Sequence, residues 1–204
     1  MIYPLAWLIA QPFFALLFRL KVLGAENLPR RGGALLAANH VSLLDPVVLG
    51  AAVRRRVYFM AKEELFRHPL LAALIRSLGA FPVRRGTADR RALNRATQLL
   101  AQGKVVGIFP EGTRSLDGQL QPPYAGVALL ASRTGVPVIP AAILGTQNLL
   151  TKKGGFKVLT RLEVRLGPPL LPPPRGKRAD RTLEEFSARV MEAIAHLMQA
   201  PQPQ

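Results

Sequence analysis

Of the three histidines in the chain, His40, His68 and His196, only His40 has a partner at a spacing that invites chemistry. Asp45 follows five residues later, in Asn39-His40-Val41-Ser42-Leu43-Leu44-Asp45-Pro46. Five residues on one ideal helix turn through about 500°, some 140° off a common face. The pair therefore meets only if His40 ends a strand, the chain turns and Asp45 opens a helix. Pro46 fits that arrangement, because proline is favoured at the first helical position. A carboxylate against an imidazole holds its tautomer and stabilises its protonated form, which makes histidine a general base for a hydroxyl. Taken alone, Asp45 before Pro46 is also an ordinary N-cap, and His40 also fits a satisfied buried imidazole. No serine, cysteine or lysine is poised as a covalent nucleophile, so direct transfer is the simpler chemistry.

A second constellation is Val105-Val106-Gly107-Ile108-Phe109-Pro110-Glu111-Gly112-Thr113-Arg114-Ser115. An apolar strand ends at a proline and delivers Glu-Gly-Thr-Arg into a loop. Gly112 lets backbone approach a ligand closely, Thr113 offers a hydroxyl, and Arg114 can grip a phosphate bidentately. A polar turn in which Glu111 and Arg114 pair with each other fits equally. Gly79-Ala80-Phe81-Pro82-Val83-Arg84-Arg85-Gly86 again sets arginines just after an apolar, strand-like run. They are either solvated or, with Arg114 nearby, part of a dianion pocket. With no cysteine in the chain there is no thiol nucleophile, disulfide or thiolate site. His68, in an apolar helical stretch before Pro69, and His196, on a C-terminal helix, have no second ligand nearby, so a zinc site is not expected.

The elements that must position these residues alternate. Strand-like runs fall at Ala34–Ala38, Val57–Met60, Val105–Phe109, Val136–Ile143 and Leu162–Leu166. Helical patterns fall at Pro46–Val53, Glu63–Leu78, Ala88–Gln102 and Tyr124–Arg133. This alternation predicts an α/β layered domain with a mixed, partly parallel sheet flanked by helices, and strand ends in such sheets are where ligands collect. The proline-rich run Gly167–Arg175 reads as a stiff connector. Beyond it Thr182 and Glu185 form a capping box, and Leu183, Phe186, Val190, Met191, Ile194, Leu197 and Met198 repeat at helical spacing.

The 204 residues suffice for one catalytic domain, and 28 Lys and Arg against 12 Asp and Glu leave a net charge of +16. A mean hydropathy of +0.18 is high for so charged a chain. A basic yet greasy protein points to a membrane surface before nucleic acid, and aromatic content of 6% with no arginine-rich arm argues the same way. The apolar excess sits in Met1–Phe18, which holds no charged residue. As one helix it would reach about 27 Å, short of a hydrocarbon core of about 30 Å. Pro12 should kink it, so an interfacial or re-entrant helical hairpin is expected. Arg19, Lys21, Arg30 and Arg31 behind it place the body on the cytoplasmic side of the inner membrane. The expected organisation is a membrane-anchoring segment over 1–20, a catalytic domain over 21–170, and a connector with an amphipathic helix over 171–204.

The residues together resemble the glycerolipid acyltransferases, specifically the bacterial 1-acyl-sn-glycerol-3-phosphate (lysophosphatidic acid) acyltransferases. The family's Asn-His-x-x-x-x-Asp motif is met by Asn39, His40 and Asp45. Its Gly-x-x-x-(Val/Ile)-x-Arg motif is met by Gly79, Val83 and Arg85, and Phe-Pro-Glu-Gly-Thr-Arg-Ser is met in full from Phe109 to Ser115. An apolar Val-Pro-(Val/Ile)-(Ile/Val)-Pro strand is met by Val136 to Pro140, in the same order and spacing. The resemblance implies that His40, charged and oriented by Asp45, deprotonates the sn-2 hydroxyl of the acceptor, whose oxygen attacks an acyl thioester to give phosphatidic acid. It implies that Arg84, Arg85, Glu111, Gly112, Thr113 and Arg114 hold the acceptor's phosphate. No metal or organic cofactor is expected beyond an acyl carrier protein or CoA thioester donor. Expected partners are lysophosphatidic acid, that donor and membrane phospholipid. Lys152, Lys153, Lys157 and the run Arg175-Gly176-Lys177-Arg178 are candidate contacts to lipid or to acidic carrier protein. An acceptor such as lyso-ornithine lipid or glycerol 3-phosphate, a nucleic-acid-binding protein and an inactive scaffold on the same fold are the competing readings.

Overall fold

The computed structural model describes residues 2–84, 89–149, 160–173 and 179–201. Seven strands form one mixed sheet: β1 (Lys21–Leu23), β2 (Ala34–Ala38), β3 (Val57–Lys62), β4 (Phe81–Val83), β5 (Val105–Ile108), β6 (Val138–Leu144) and β7 (Glu163–Leu166). Their order is β1-β7-β6-β2-β5-β3-β4. Every neighbouring pair is parallel except β6 and β7, which run antiparallel. The sheet is mixed and largely parallel, as the alternation predicts.

Central β2 explains the layering. All five of its residues are fully buried, as expected of a parallel strand covered on both faces. Because side chains alternate across a strand, Ala34, Leu36 and Ala38 join one core, while Leu35 and Ala37 join the other. Helices α1 (Ile2–Phe18) and α2 (Asp45–Ala52) supply the first core through Phe14, Phe18, Val48 and Leu49. Helices α4 (Arg90–Ala101), α5 (Gly126–Thr134) and α6 (Ala179–Gln199) supply the second through residues such as Ala96, Leu99, Leu130, Phe186, Val190 and Ile194. A two-faced sheet with a layer of helices on each side results.

Several expectations change. The N-terminal apolar segment is one continuous helix through Pro12, not a hairpin. Proline removes one intrahelical donor, but the helix continues past it and buries Phe14 and Phe18 together in the core. Among the described residues no helix is long and apolar enough to cross a membrane. The stretch Glu63–Leu78 is two pieces, a 3-10 turn over Glu63–Phe66 and α3 (Pro69–Ser77). Pro69 forces the break: His68 before it is extended, at φ −85° and ψ 114°. Helix α6 starts at Ala179, so Thr182 lies inside it and not at its N-cap. Leu170, within the proline-rich connector, bridges Val138 of β6, which ties that run to the sheet. The three-residue strand β1 went unforeseen, because charged Lys21 opens it and it is too short to show a period.

Candidate active site

The register between β2 and β5 pairs Ala37 with Ile108, so the residues just beyond both strands leave the sheet side by side. Those residues are Asn39 and His40 on one strand and Phe109 to Glu111 on the other. Asn39 anchors the first turn to β6: its amide Nδ2–H donates to the Ile143 carbonyl at 3.0 Å, and the Ile143 N–H donates to Oδ1 at 2.7 Å. The chain then turns and Asp45 opens α2, the geometry that the five-residue spacing requires.

His40 and Asp45 meet at 2.8 Å between Nδ1 and Oδ2, and both are buried. The same Oδ2 accepts the N–H groups of Val41 and Ser42 at 2.7 Å each. Oδ1 is buried with no hydrogen-bond partner among the described residues. The carboxylate thus fixes the proton on Nδ1, leaves Nε2 as the basic nitrogen, and directs its charge at the imidazole. Phe109 stacks on the imidazole with ring centroids 4.0 Å apart and 17° between planes, and Phe59 stacks behind Phe109 at 6.0 Å. Sequence reasoning gave Phe109 no part, since its partner lies far away in the chain.

His40 and Phe109 line an apolar cavity of about 240 Å³. Val47 and Gly50 of α2, Phe59 and Met60 of β3, and Ile75 and Leu78 from α3 and its end line it. Its volume is several times the roughly 30 Å³ share of one water, and its walls suit hydrocarbon. Lys62 lies on its edge and pairs with Glu64 at 3.3 Å. Nothing in the motifs pointed to this lysine.

The expected phosphate ligands divide. Thr113 and Arg114 are exposed in the loop after β5. Gly112 has φ +65°, and a Cβ there would sit 2.8 Å from the Tyr124 ring, so the loop's path depends on glycine. Glu111 departs from the expectation. Its buried carboxylate accepts the His40 N–H on Oε1 and the Gln121 N–H on Oε2, each at 3.0 Å. It does not pair with Arg114 in these contacts, and both of its oxygens are occupied. Burial pushes its carboxyl above the ordinary value, against the lowering effect of the two N–H donors and of His40. Arg84 is drawn to Glu63, with Nε 2.7 Å from Oε2, and this partner raises the guanidinium further. Arg85 lies outside the described residues, as do Lys152, Lys153, Lys157 and the run from Arg175 to Arg178. Among the described residues no three His, Cys, Asp or Glu gather as a metal cluster.

The family model "Acyltransferase" matches residues 19–144, which include the whole of the His40–Asp45 turn and the Glu-Gly-Thr-Arg loop. A 1-acyl-sn-glycerol-3-phosphate acyltransferase of Bacillus subtilis (strain 168) is 33% identical over 142 residues, covering 68% of this chain and 70% of that protein. A chloroplastic 1-acyl-sn-glycerol-3-phosphate acyltransferase of Arabidopsis thaliana, LPAT1, is 31% identical over 182 residues, and this chain spans 49% of its length. The crystal structure of PlsC, the 1-acyl-sn-glycerophosphate (LPA) acyltransferase of Thermotoga maritima, superposes with a TM-score of 0.76 at 29% identity, over 99% of this chain and 82% of that one. A histidine hydrogen-bonded to a buried aspartate, the apolar cavity it lines and a family match across both loops lead to one conclusion: the chain belongs to the acyltransferase family.

Proposed function

We propose that the protein transfers an acyl group from an acyl thioester to the sn-2 hydroxyl of 1-acyl-sn-glycerol 3-phosphate, forming phosphatidic acid. The observation that carries the reading is that His40, paired with Asp45, lines an apolar cavity and is held by the loop from Phe109 to Ser115. Nε2 of His40 takes the proton of the acceptor hydroxyl as its oxygen bonds to the thioester carbonyl carbon. The tetrahedral intermediate collapses, the C–S bond breaks, and the departing thiolate takes the proton back from the imidazolium. The ester and a free thiol remain, and His40 is neutral again. Arg114, with Thr113 and the Gly112 backbone, meets the acceptor's phosphate, while an acyl chain lies in the cavity. Acyl-CoA and acyl carrier protein both supply the required thioester.

The reading places the enzyme on the cytoplasmic face of the membrane, held by the 1–20 segment. Leu8, Ile9, Phe13, Leu16 and Leu17 of α1 are exposed, and Leu43 and Val47 are exposed at the cavity. Large exposed apolar surface on a chain of charge +16 favours an anionic lipid surface.

The deciding experiment follows a labelled thioester into phosphatidic acid with lysophosphatidic acid as acceptor, for wild type and His40→Ala. Product from wild type alone supports both the reaction and the base. Product from both at equal rates removes His40 from the chemistry, and no product from wild type with either donor rejects the acceptor.

A further inference from the structure

We infer that Glu111 is a positioning residue for His40 and not a ligand of the acceptor's phosphate. Its carboxylate fastens the backbone just beyond β2 to the segment around Gln121, and so sets where the imidazole stands. The inference rests on the reading of His40 as the base.

Four observations carry it. First, a carboxylate and a phosphate repel, and Glu111 is buried while Thr113 and Arg114, in the same loop, are exposed. Second, both oxygens are engaged by backbone donors, the N–H groups of His40 and Gln121. Third, the sheet ladder on the β6 side ends at Ala38, so the His40 N–H lies past it, and Glu111 supplies the acceptor that a strand would have supplied. Fourth, the loop carrying Glu111 touches His40 at three separate points. Phe109 stacks on the ring, Glu111 accepts the N–H, and the Ser115 N–H donates to the His40 carbonyl at 2.8 Å. The peptide groups on both sides of His40 are therefore held by one loop. A shift of that loop at Gly112–Arg114 would be felt at the imidazole.

The two N–H donors at Glu111 meet two different oxygens, Oε1 and Oε2. Glutamate has them and glutamine has one, its second terminal atom being itself a donor. Glu111→Gln should therefore keep one of the two bonds and break the other, and Glu111→Ala should break both. Displacement of a base by a fraction of an ångström to one ångström slows transfer on the order of 10- to 100-fold.

The test measures Glu111→Gln and Glu111→Ala by steady-state kinetics and by the imidazole signals in ¹H–¹⁵N spectra without substrate. With only three histidines, His40 can be assigned by its absence in His40→Ala. Expected are a kcat lowered about 10- to 100-fold in Glu111→Gln and further in Glu111→Ala, and an acceptor KM within about twofold of wild type. The His40 imidazole signals should move while those of His68 and His196 stay. A kcat equal to wild type, an acceptor KM raised roughly tenfold or more, or unmoved His40 signals would each overturn the inference. Should the Glu111 variants fail to fold, Gln121→Pro removes one donor with the carboxylate intact. It carries the same expectations and the same grounds for rejection. The spectra need no acceptor, so an enzyme inactive toward lysophosphatidic acid would refute the proposed reaction while the His40 signals still decide the role of Glu111.

Discussion

At His40 the chemistry turns on which ring nitrogen is basic. Asp45 makes that choice, since its Oδ2 holds Nδ1 and its unpartnered Oδ1 leaves the charge unspent elsewhere. Asp45→Asn loses the charge, and its single oxygen can serve the Nδ1, Val41 and Ser42 donors only if the amide NH2 takes the place of Oδ1. Its kcat should fall about 10²- to 10⁴-fold with the melting temperature little changed, as kinetics and thermal melts on the same preparation will report. Arg114 belongs to a different step. It is exposed, and in the proposed reaction it meets the acceptor's phosphate in ground and transition states alike, so Arg114→Ala should raise the acceptor KM about 10- to 100-fold and leave kcat near wild type. Titrating lysophosphatidic acid at saturating donor separates the two, and a fallen kcat with constant KM would place Arg114 at the reacting centre.

At the scale of elements, an aromatic stack connects the sheet to the base. Gly107 of β5 lies under Phe59, and a Cβ there would fall on its ring; Phe59 stacks on Phe109, and Phe109 on His40. Gly107→Ala should therefore destabilise by about 1–3 kcal/mol through overpacking, and lower kcat through the displaced rings. Gly50→Ala in α2 is the control, because its Cβ meets nothing nearer than Phe59 at 4.0 Å; it should be neutral or stabilise by about 0.5–1 kcal/mol. Thermal melts of both variants check the pair. The alternation of runs made five strands and the layering legible in the sequence, and the spacing of His40, Asp45 and Pro46 made the strand-turn-helix legible. What stayed hidden depended on distant partners. The family motif set Glu111 among the phosphate ligands, whereas its bonds run to His40 and Gln121. Arg84 is drawn aside by Glu63, twenty-one residues earlier. The break in the 63–78 stretch was readable from His68-Pro69 but was masked by the continuous apolar run around it.

The molecule exposes large apolar side chains on α1 and α3. Leu16 of α1 is 78% exposed and Leu70 of α3 is 86% exposed. Removing residues 2–18 would strip Phe14 and Phe18 from the core, so truncation confuses lipid binding with folding. Leu16→Asp is the cleaner probe of the anchor. It should weaken co-sedimentation with vesicles containing anionic phospholipid while leaving the melt unchanged, and undiminished binding would move the anchor elsewhere. Raising salt should weaken the wild type's binding as well, since the charged contribution is screened within about 8 Å at physiological ionic strength. Central β2, finally, pairs with β5 some seventy residues onward and with β6 about a hundred onward, and Asn39 bonds to Ile143. Such non-local pairing is slow to form, because a long loop must close before any contact rewards it. During synthesis His40, the proposed base, therefore has no fixed place until the ribosome has released the chain through β6, and the nascent enzyme stays silent while its first 140 or so residues emerge.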